Sequence, residues 1–413
     1  MYERAFALCA RDASLVAVHR EGSLLLATRG EVLVCDEAAQ TALARWAAVS
    51  DERASDARAV RAPFAFGWIT YDAARCDDPS LEGEMRVRGD YAPLAYLQRF
   101  MSWIEIAPDG RASASGGERP AELLARYEAE PEATLEPIRA HEIKCATDRD
   151  RHRRQLAVVR EAILDGEVYL VNVARMLHAS EGMSDGQIAA RVARSRAPFS
   201  ALLRGAGCTV GAMSMERALS WDRATGSLET RPIKGTRPRH DDPARDRALA
   251  DELAASAKER AENVMAVDVH RNDLGRIAAV GSVTVPELGA VEPHAFVHHL
   301  VSTVRARARE GVSAREVLEA MLPVGSVTGA PKRAAMTTIG RLEPERRGLY
   351  TGAYGVLDSD GSLDLAVAIR TIVRDEHGAH YGSGGGIVID SDPDHEWAEL
   401  AWKERALAGA PAR

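Results

Sequence analysis

Cysteine is scarce in this sequence and unpaired by motif. Cys9, Cys35, Cys76, Cys145 and Cys208 are scattered over 413 residues, and none forms a CxxC pair. That excludes a disulfide framework or a sequence-defined zinc cluster as the basis of the fold. No apolar run approaches the roughly 20 residues that span a bilayer. The opening MYERAFALCARDASL has charges where a secretion signal needs an apolar core. There is no repeat of fixed period and no long low-complexity tract. Positive charge is not in excess: 53 Lys and Arg stand against 61 Asp and Glu, a net charge of −8. A nucleic-acid footprint is therefore missing. Phosphate loops are missing too. GSVTGAPK (325–332) fails the GxxxxGK spacing and has Pro331 before its lysine, and GSGGGIVID (382–390) has Ile387 where GxGxxG needs glycine. The expectation is a cytoplasmic enzyme with no nucleic-acid and no membrane partner.

What is present is an α/β mixture. Residues 1–115 read as short apolar strands (LVAVH, LLLAT, EVLVC, FAFGWITY, LAYLQ) with a helix at about 37–49. PDGRASASGGERP (108–120) reads as a polar connector. Beyond it, helical patterns at 148–165, 184–195, 243–265, 313–321, 331–339 and 393–408 interleave with strand patterns. The strands are expected at 167–178, 200–204, 208–213, 277–285, 351–357, 364–373 and 380–389. Short connections favour an antiparallel or mixed sheet over strict βαβ order. The expected division is an N-terminal region, 1–115, and a catalytic region, 140–413, intertwined as one domain.

Several segments carry chemistry. Glu259 and Glu262 are three apart in one helical pattern, and Glu396, Glu399 and Lys403 share a face of another. Each set alone reads as an ordinary solvated stripe. Facing one cleft, the four acids would repel and raise each other's pKa values, which a hard cation such as magnesium relieves. Lys234 lies in LETRPIKGTRPR (228–239), near Arg231, Arg237 and Arg239. Ordinary lysine titrates at about 10.4; nearby cations or desolvation activate the amine. An anion-binding lysine is the equal alternative. Gly384, Gly385 and Gly386 allow close backbone approach to a ligand, or simply a tight turn. Arg370, inside an apolar β pattern, needs a carboxylate, from substrate or protein.

Taken in order, PIKGTRPR, KERAENVMAVDVHRNDLGR, HHLVSTV, GSVTGAPKRAAM, YTGAYG, AIRTIV and GSGGGIVIDSDPDHEWAELAWKERAL resemble the chorismate-utilising enzymes. The match is strong over 148–408 and weak over 1–115. The resemblance implies an anthranilate synthase-like sandwich of two antiparallel sheets flanked by helices. The lysine in PIKGT is similar to the aminodeoxychorismate synthase component I branch, where anthranilate synthases usually carry PIAGT. It implies chorismate and ammonia as substrates, with a glutamine amidotransferase subunit as partner. It implies Mg2+ between Glu262 and Glu399, with Glu259 and Glu396 holding its waters. Lys234 is the implied nucleophile, Glu216 the general acid and His299 a further catalytic residue. Thr328, Tyr350, Arg370, Gly384, Gly385, Gly386 and Lys403 are the implied substrate-binding residues.

Departures qualify this. Ser214-Met215-Glu216 replaces SPE, and Leu170 in GEVYLVNVARML replaces the family's glutamine. The lysine that activates water in isochorismate and salicylate synthases is missing from that stretch. The tryptophan-binding LLES is broken as Leu24-Leu25-Leu26-Ala27, so tryptophan is expected not to inhibit tightly. Saturable inhibition at micromolar tryptophan would overturn that. No amidotransferase or lyase motif is expected in the chain.

Overall fold

The computed structural model describes residues 2–20, 22–36, 39–55, 61–75, 93–130, 135–139, 141–179 and 183–404. Strand Leu15–Arg20 shows how its layers arise. Successive strand side chains point to opposite faces. Val16 and Val18 pack against Phe66, Tyr96, Val210 and Val356 of other strands. Leu15 and Ala17 pack against Phe6, Ile188 and Val192 of helices Glu3–Arg11 and Asp185–Ser195. Strand Ala353–Asp358 is the counterpart. Tyr354 and Val356 join the inter-strand core, while Ala353 and Leu357 join Trp46, Leu318 and Met321 of helices Ala39–Ala54 and Ala314–Met321. Each fully buried Val or Leu contributes roughly 1.5–3 kcal/mol, so both faces are committed. The layering is helix, sheet, sheet, helix, as the resemblance implies.

The 19 strands found among the described residues join into one hydrogen-bonded network. All named pairings are antiparallel. The long strands Ser23–Asp36 and Ala95–Ile106 connect the layers, with register shifts between Thr28 and Val34 where they bend. The N-terminal strands are not separate. Leu15–Arg20 pairs with Phe199–Gly205, and Pro63–Ile69 with Ala353–Asp358. No helix among the described residues is long and apolar enough to cross a membrane.

Four expectations are corrected. The connector PDGRASASGGERP contains strand Ala112–Gly117, among the described residues an exposed edge paired only with Ala95–Ile106, and leads into helix Pro120–Ala129. Polar composition there is that of an edge strand. The helix expected at 243–265 is two helices, Pro243–Ala255 and Ala257–Gly275. Extended Ser256 separates them, and its hydroxyl accepts from the Glu259 N–H. The strand expected at 277–285 begins only at Thr284. The one expected at 364–373 splits into Leu363–Val367 and Thr371–Asp375 around Arg370. Four further strands, Arg217–Asp222, Ser227–Arg231, Ile233–Pro238 and Val297–Arg307, were not expected. Part of the reason is that charges on this region pair across strands: Glu229 binds both Arg217 and Arg305.

Candidate active site

The glycine of PIKGT explains where Lys234 points. In the pairing with Val297–Arg307, Lys234 faces Leu300 and Thr236 faces His299, so Gly235 is an extra residue. Its φ of 83° is natural to glycine. A Cβ there would lie 2.9 Å from the Leu253 side chain and 3.0 Å from Glu259 Oε2. The bulge re-aims the strand, and Ile233 through Pro238 all line a cavity of about 370 Å³. Lys234 Nζ donates to the Ser326 carbonyl at 3.0 Å. The arginines near it in sequence have partners of their own: Arg231 pairs with Glu292, Arg237 with Glu252, and Arg239 with Asp246. Sequence neighbours are therefore not the lysine's electrostatic environment.

Glu216 follows strand Cys208–Ser214 and is buried. Ser326 Oγ donates to its Oε1, so Ser326 touches both Glu216 and Lys234. Burial pushes the Glu216 carboxyl up to about 7, against the lowering influence of the Ser326 hydrogen bond and the Lys234 charge. A carboxyl with that value still carries much of its proton at neutral pH, as a general acid requires.

Ser326 sits in the turn Gly325–Val327, pressed on helix Ala257–Gly275. A Cβ on Gly325 would meet Val269 Cγ1 at 2.2 Å. Lys332 of the same segment turns away from the cavity, pairing with buried Asp273 at 2.7 Å. Strand Gly378–Ile387 brings the glycines. A Cβ on Gly382 would lie 2.0 Å from the Tyr350 ring, one on Gly384 2.8 Å from Tyr350 Oη, and one on Gly386 3.2 Å from Lys234 Nζ. The run exists because Tyr350 and Lys234 lie against the bare backbone.

Arg370 lines the cavity at a φ of 49°, a conformation unusual for arginine. Among the described residues no carboxylate pairs with it, and its guanidinium lies 5.9 Å from the centre of the Trp402 ring. Burial lowers its pKa, against Tyr381. An unpaired, half-buried guanidinium marks a place for an anion. His299 is buried on the cavity wall. Its Nδ1 lies 3.0 Å from the Thr236 hydroxyl and 3.3 Å from the Gly235 carbonyl. A carbonyl only accepts, so Nδ1 carries the proton. Burial, then the Arg370 charge, pushes this imidazole well below its usual range and keeps it neutral.

The four acids do share one cavity wall. Helix Pro393–Lys403 starts at Asp392, whose side chain accepts from the Asp394 and His395 N–H groups, and it presents Glu396, Glu399 and Lys403. Lys403 Nζ pairs with Glu399 at 2.7 Å and donates to the Gly384 carbonyl at 2.8 Å. Burial raises Glu262 against the lowering charges of Lys234 and Lys258, and Glu259 and Glu396 add smaller pushes upward. Burial raises Glu396, and Glu399 adds to it. Glu399 is lowered: burial opposes ionisation there, but the Lys403 charge and hydrogen bond overcome it. Among the described residues no three His, Cys, Asp or Glu converge to hold an ion unaided. Magnesium needs only one or two carboxylates, with water and substrate oxygens completing its shell. Glu262, raised mainly by burial, and Glu399, held ionised by Lys403, face the same cavity and fit that donor set.

Eleven implied site residues besides Lys234 thus reach or border one cavity, with two differences. Thr328 is not in the lining; its hydroxyl donates to the Val324 carbonyl at 2.8 Å, and Ser326 and Val327 take its place. Gly385 alternates away from Gly384 and Gly386, and a Cβ on it would lie 3.3 Å from Glu396 Oε2. Ser326, Tyr381, Trp402 and Lys258 also line the cavity but were not singled out. Ser326 stands two residues from Thr328, so the segment named from the sequence reaches the cavity through a different hydroxyl.

Comparison with known proteins gives the class. The profile described as chorismate binding enzyme matches residues 10–409, and the chain belongs to that family. The aminodeoxychorismate synthase component 1 of Salmonella typhimurium is 46% identical over 235 residues, 57% of this chain and 51% of the relative. That of Escherichia coli is 43% identical over 252 residues, 61% of this chain and 55% of the relative. The chain thus spans about half the length of these curated relatives. An anthranilate synthase component 1 from Haloarcula marismortui is 35% identical over 370 residues, 84% of this chain and 75% of the relative. The fold is shared with anthranilate synthase component I from Streptococcus pneumoniae, at TM-score 0.72 and 24% identity, over 97% of this chain and 90% of that one.

Proposed function

We propose that the chain converts chorismate and ammonia to 4-amino-4-deoxychorismate, a precursor of 4-aminobenzoate and folate. The observation that carries this is Lys234, held beside Glu216 through Ser326 in a cavity with an unpaired arginine. The Lys234 amine attacks C2 of the ring. The double bonds shift, and the C4 hydroxyl leaves as water with the Glu216 proton. Ammonia then adds at C4, the shift reverses, and the lysine is expelled. Arg370, Lys403, Tyr350 and the glycine backbone bind the substrate carboxylates. Glu262 and Glu399 would hold magnesium, with Glu259 and Glu396 on its waters; bound there, it neutralises the ring carboxylate. A separate glutamine amidotransferase supplies the ammonia. The "component 1" in the relatives' names supports a two-component enzyme.

A second reading is anthranilate formation, favoured by the wide match to the Haloarcula protein. Lys234 argues against it, because that reaction sends ammonia to C2, the carbon this lysine occupies. Product identification after incubation with chorismate, magnesium and ammonium separates the two. Anthranilate without aminodeoxychorismate would sink the leading reading.

Arg370→Met should raise KM for chorismate on the order of 10- to 100-fold, the worth of one charge-assisted contact. A smaller change in kcat is expected. Steady-state kinetics check this; an unchanged KM would remove Arg370 from substrate binding.

A further inference from the structure

The acid wall of the cavity already carries cations, and they are not held alike. Arg237 reaches Glu259 at 3.5 Å but also donates to Glu252 at 2.8 Å and to the Thr236 carbonyl at 2.9 Å. Lys403 pairs with Glu399 at 2.7 Å and is anchored on the Gly384 carbonyl at 2.8 Å. Lys258 lies 3.8 Å from Glu262 and 3.8 Å from Glu396. Among the described residues it is held by those two carboxylates alone. Its side chain is 43% exposed, so its ammonium can move into water with little change in solvation. Glu396 would stay in place without it, because Ser391 Oγ donates to its Oε1 at 2.8 Å.

We propose that Lys258 is an exchangeable counter-ion. Its ammonium fills the charge deficit between Glu262 and Glu396 in the metal-free enzyme and swings out when a divalent cation arrives. Like charges at this range repel strongly in a partly buried site, so the lysine and the metal compete. Divalent affinity is thereby held below what the acids alone would give. This inference rests on the magnesium reading above.

The test is manganese binding, followed through the paramagnetic resonance of free Mn2+ without chorismate. It compares wild type, Lys258→Met, Lys258→Arg and Lys144→Met; Lys144 is exposed and does not line the cavity. Lys258→Met should bind Mn2+ at least tenfold more tightly than wild type, while the arginine variant and Lys144→Met stay near wild type. Equal or weaker binding by Lys258→Met, with wild type binding normally, overturns the exchange alone. An equal gain in Lys144→Met overturns it too, by showing a general charge effect. Absence of binding in every protein removes the magnesium site itself and the exchange with it.

Discussion

Lys234→Ala is expected to lower aminodeoxychorismate formation by about 10³-fold or more, the loss typical of a removed covalent nucleophile. Folding should hardly change. Among the described residues Lys234 Nζ has one hydrogen-bond partner, the Ser326 carbonyl, and Ser326 lines the cavity, where a water can replace the amine. KM for chorismate should move only a few-fold, because Arg370 and Lys403 remain. The substitution also removes a charge that holds the Glu216 carboxyl down, so Glu216 should titrate higher still in the variant. Rates with ammonium as the nitrogen source, beside thermal unfolding, check this. A fully active Lys234→Ala would end covalent catalysis by this residue and leave it an anion binder.

Glu216→Gln should cost ~10²–10⁴-fold in rate and remove the part of the pH dependence of stability that Glu216 supplies. In wild type, the rate limb assigned to Glu216 falls as pH rises through about 7, where the acid loses the proton it must donate. The stability sign follows from the same shift. The folded pKa, about 7, lies above the ordinary 4.5. The stabilisation is fully present below pH 4.5 and is lost as pH rises through about 7. That difference corresponds to about 3 kcal/mol. Glutamine keeps the neutral form at every pH. The variant should therefore be the more stable protein at pH 8, and the gap should close toward pH 5. Urea titrations at the two pH values measure it. A Gln variant no more stable at pH 8 would mean that Glu216 is not held neutral by burial.

Much of this site was legible, for specific reasons. Glu396, Glu399 and Lys403 sit on one helical face because 3.6-residue periodicity is local, and the helix begins at 393 as expected, capped by the Asp392 side chain. That this face meets Glu259 and Glu262 across a cavity was not legible by spacing. It depends on the pairing of Ile233–Pro238 with Val297–Arg307, and neither strand was expected. The ordered motifs supplied what periodicity could not. Arg370 was expected inside a continuous strand, yet its left-handed φ breaks that strand, and its side chain lines the cavity. Local pattern has no signal for such a break. Ser326 escaped notice because nothing in GSVTGAPK marks which hydroxyl points inward; Thr328 does not. Lys258 was not singled out because one of its two partners, Glu396, lies on another helix.

The most direct test of Lys234 as nucleophile is to trap its adduct. The enzyme is mixed with chorismate and magnesium without ammonia, quenched in acid, and digested for peptide mass spectrometry. The expected result is a peptide containing Lys234 heavier by chorismate less one water, missing from Glu216→Gln and lost when ammonium is added before the quench. Turnover to aminodeoxychorismate with Lys234 unmodified under every quench condition would contradict it.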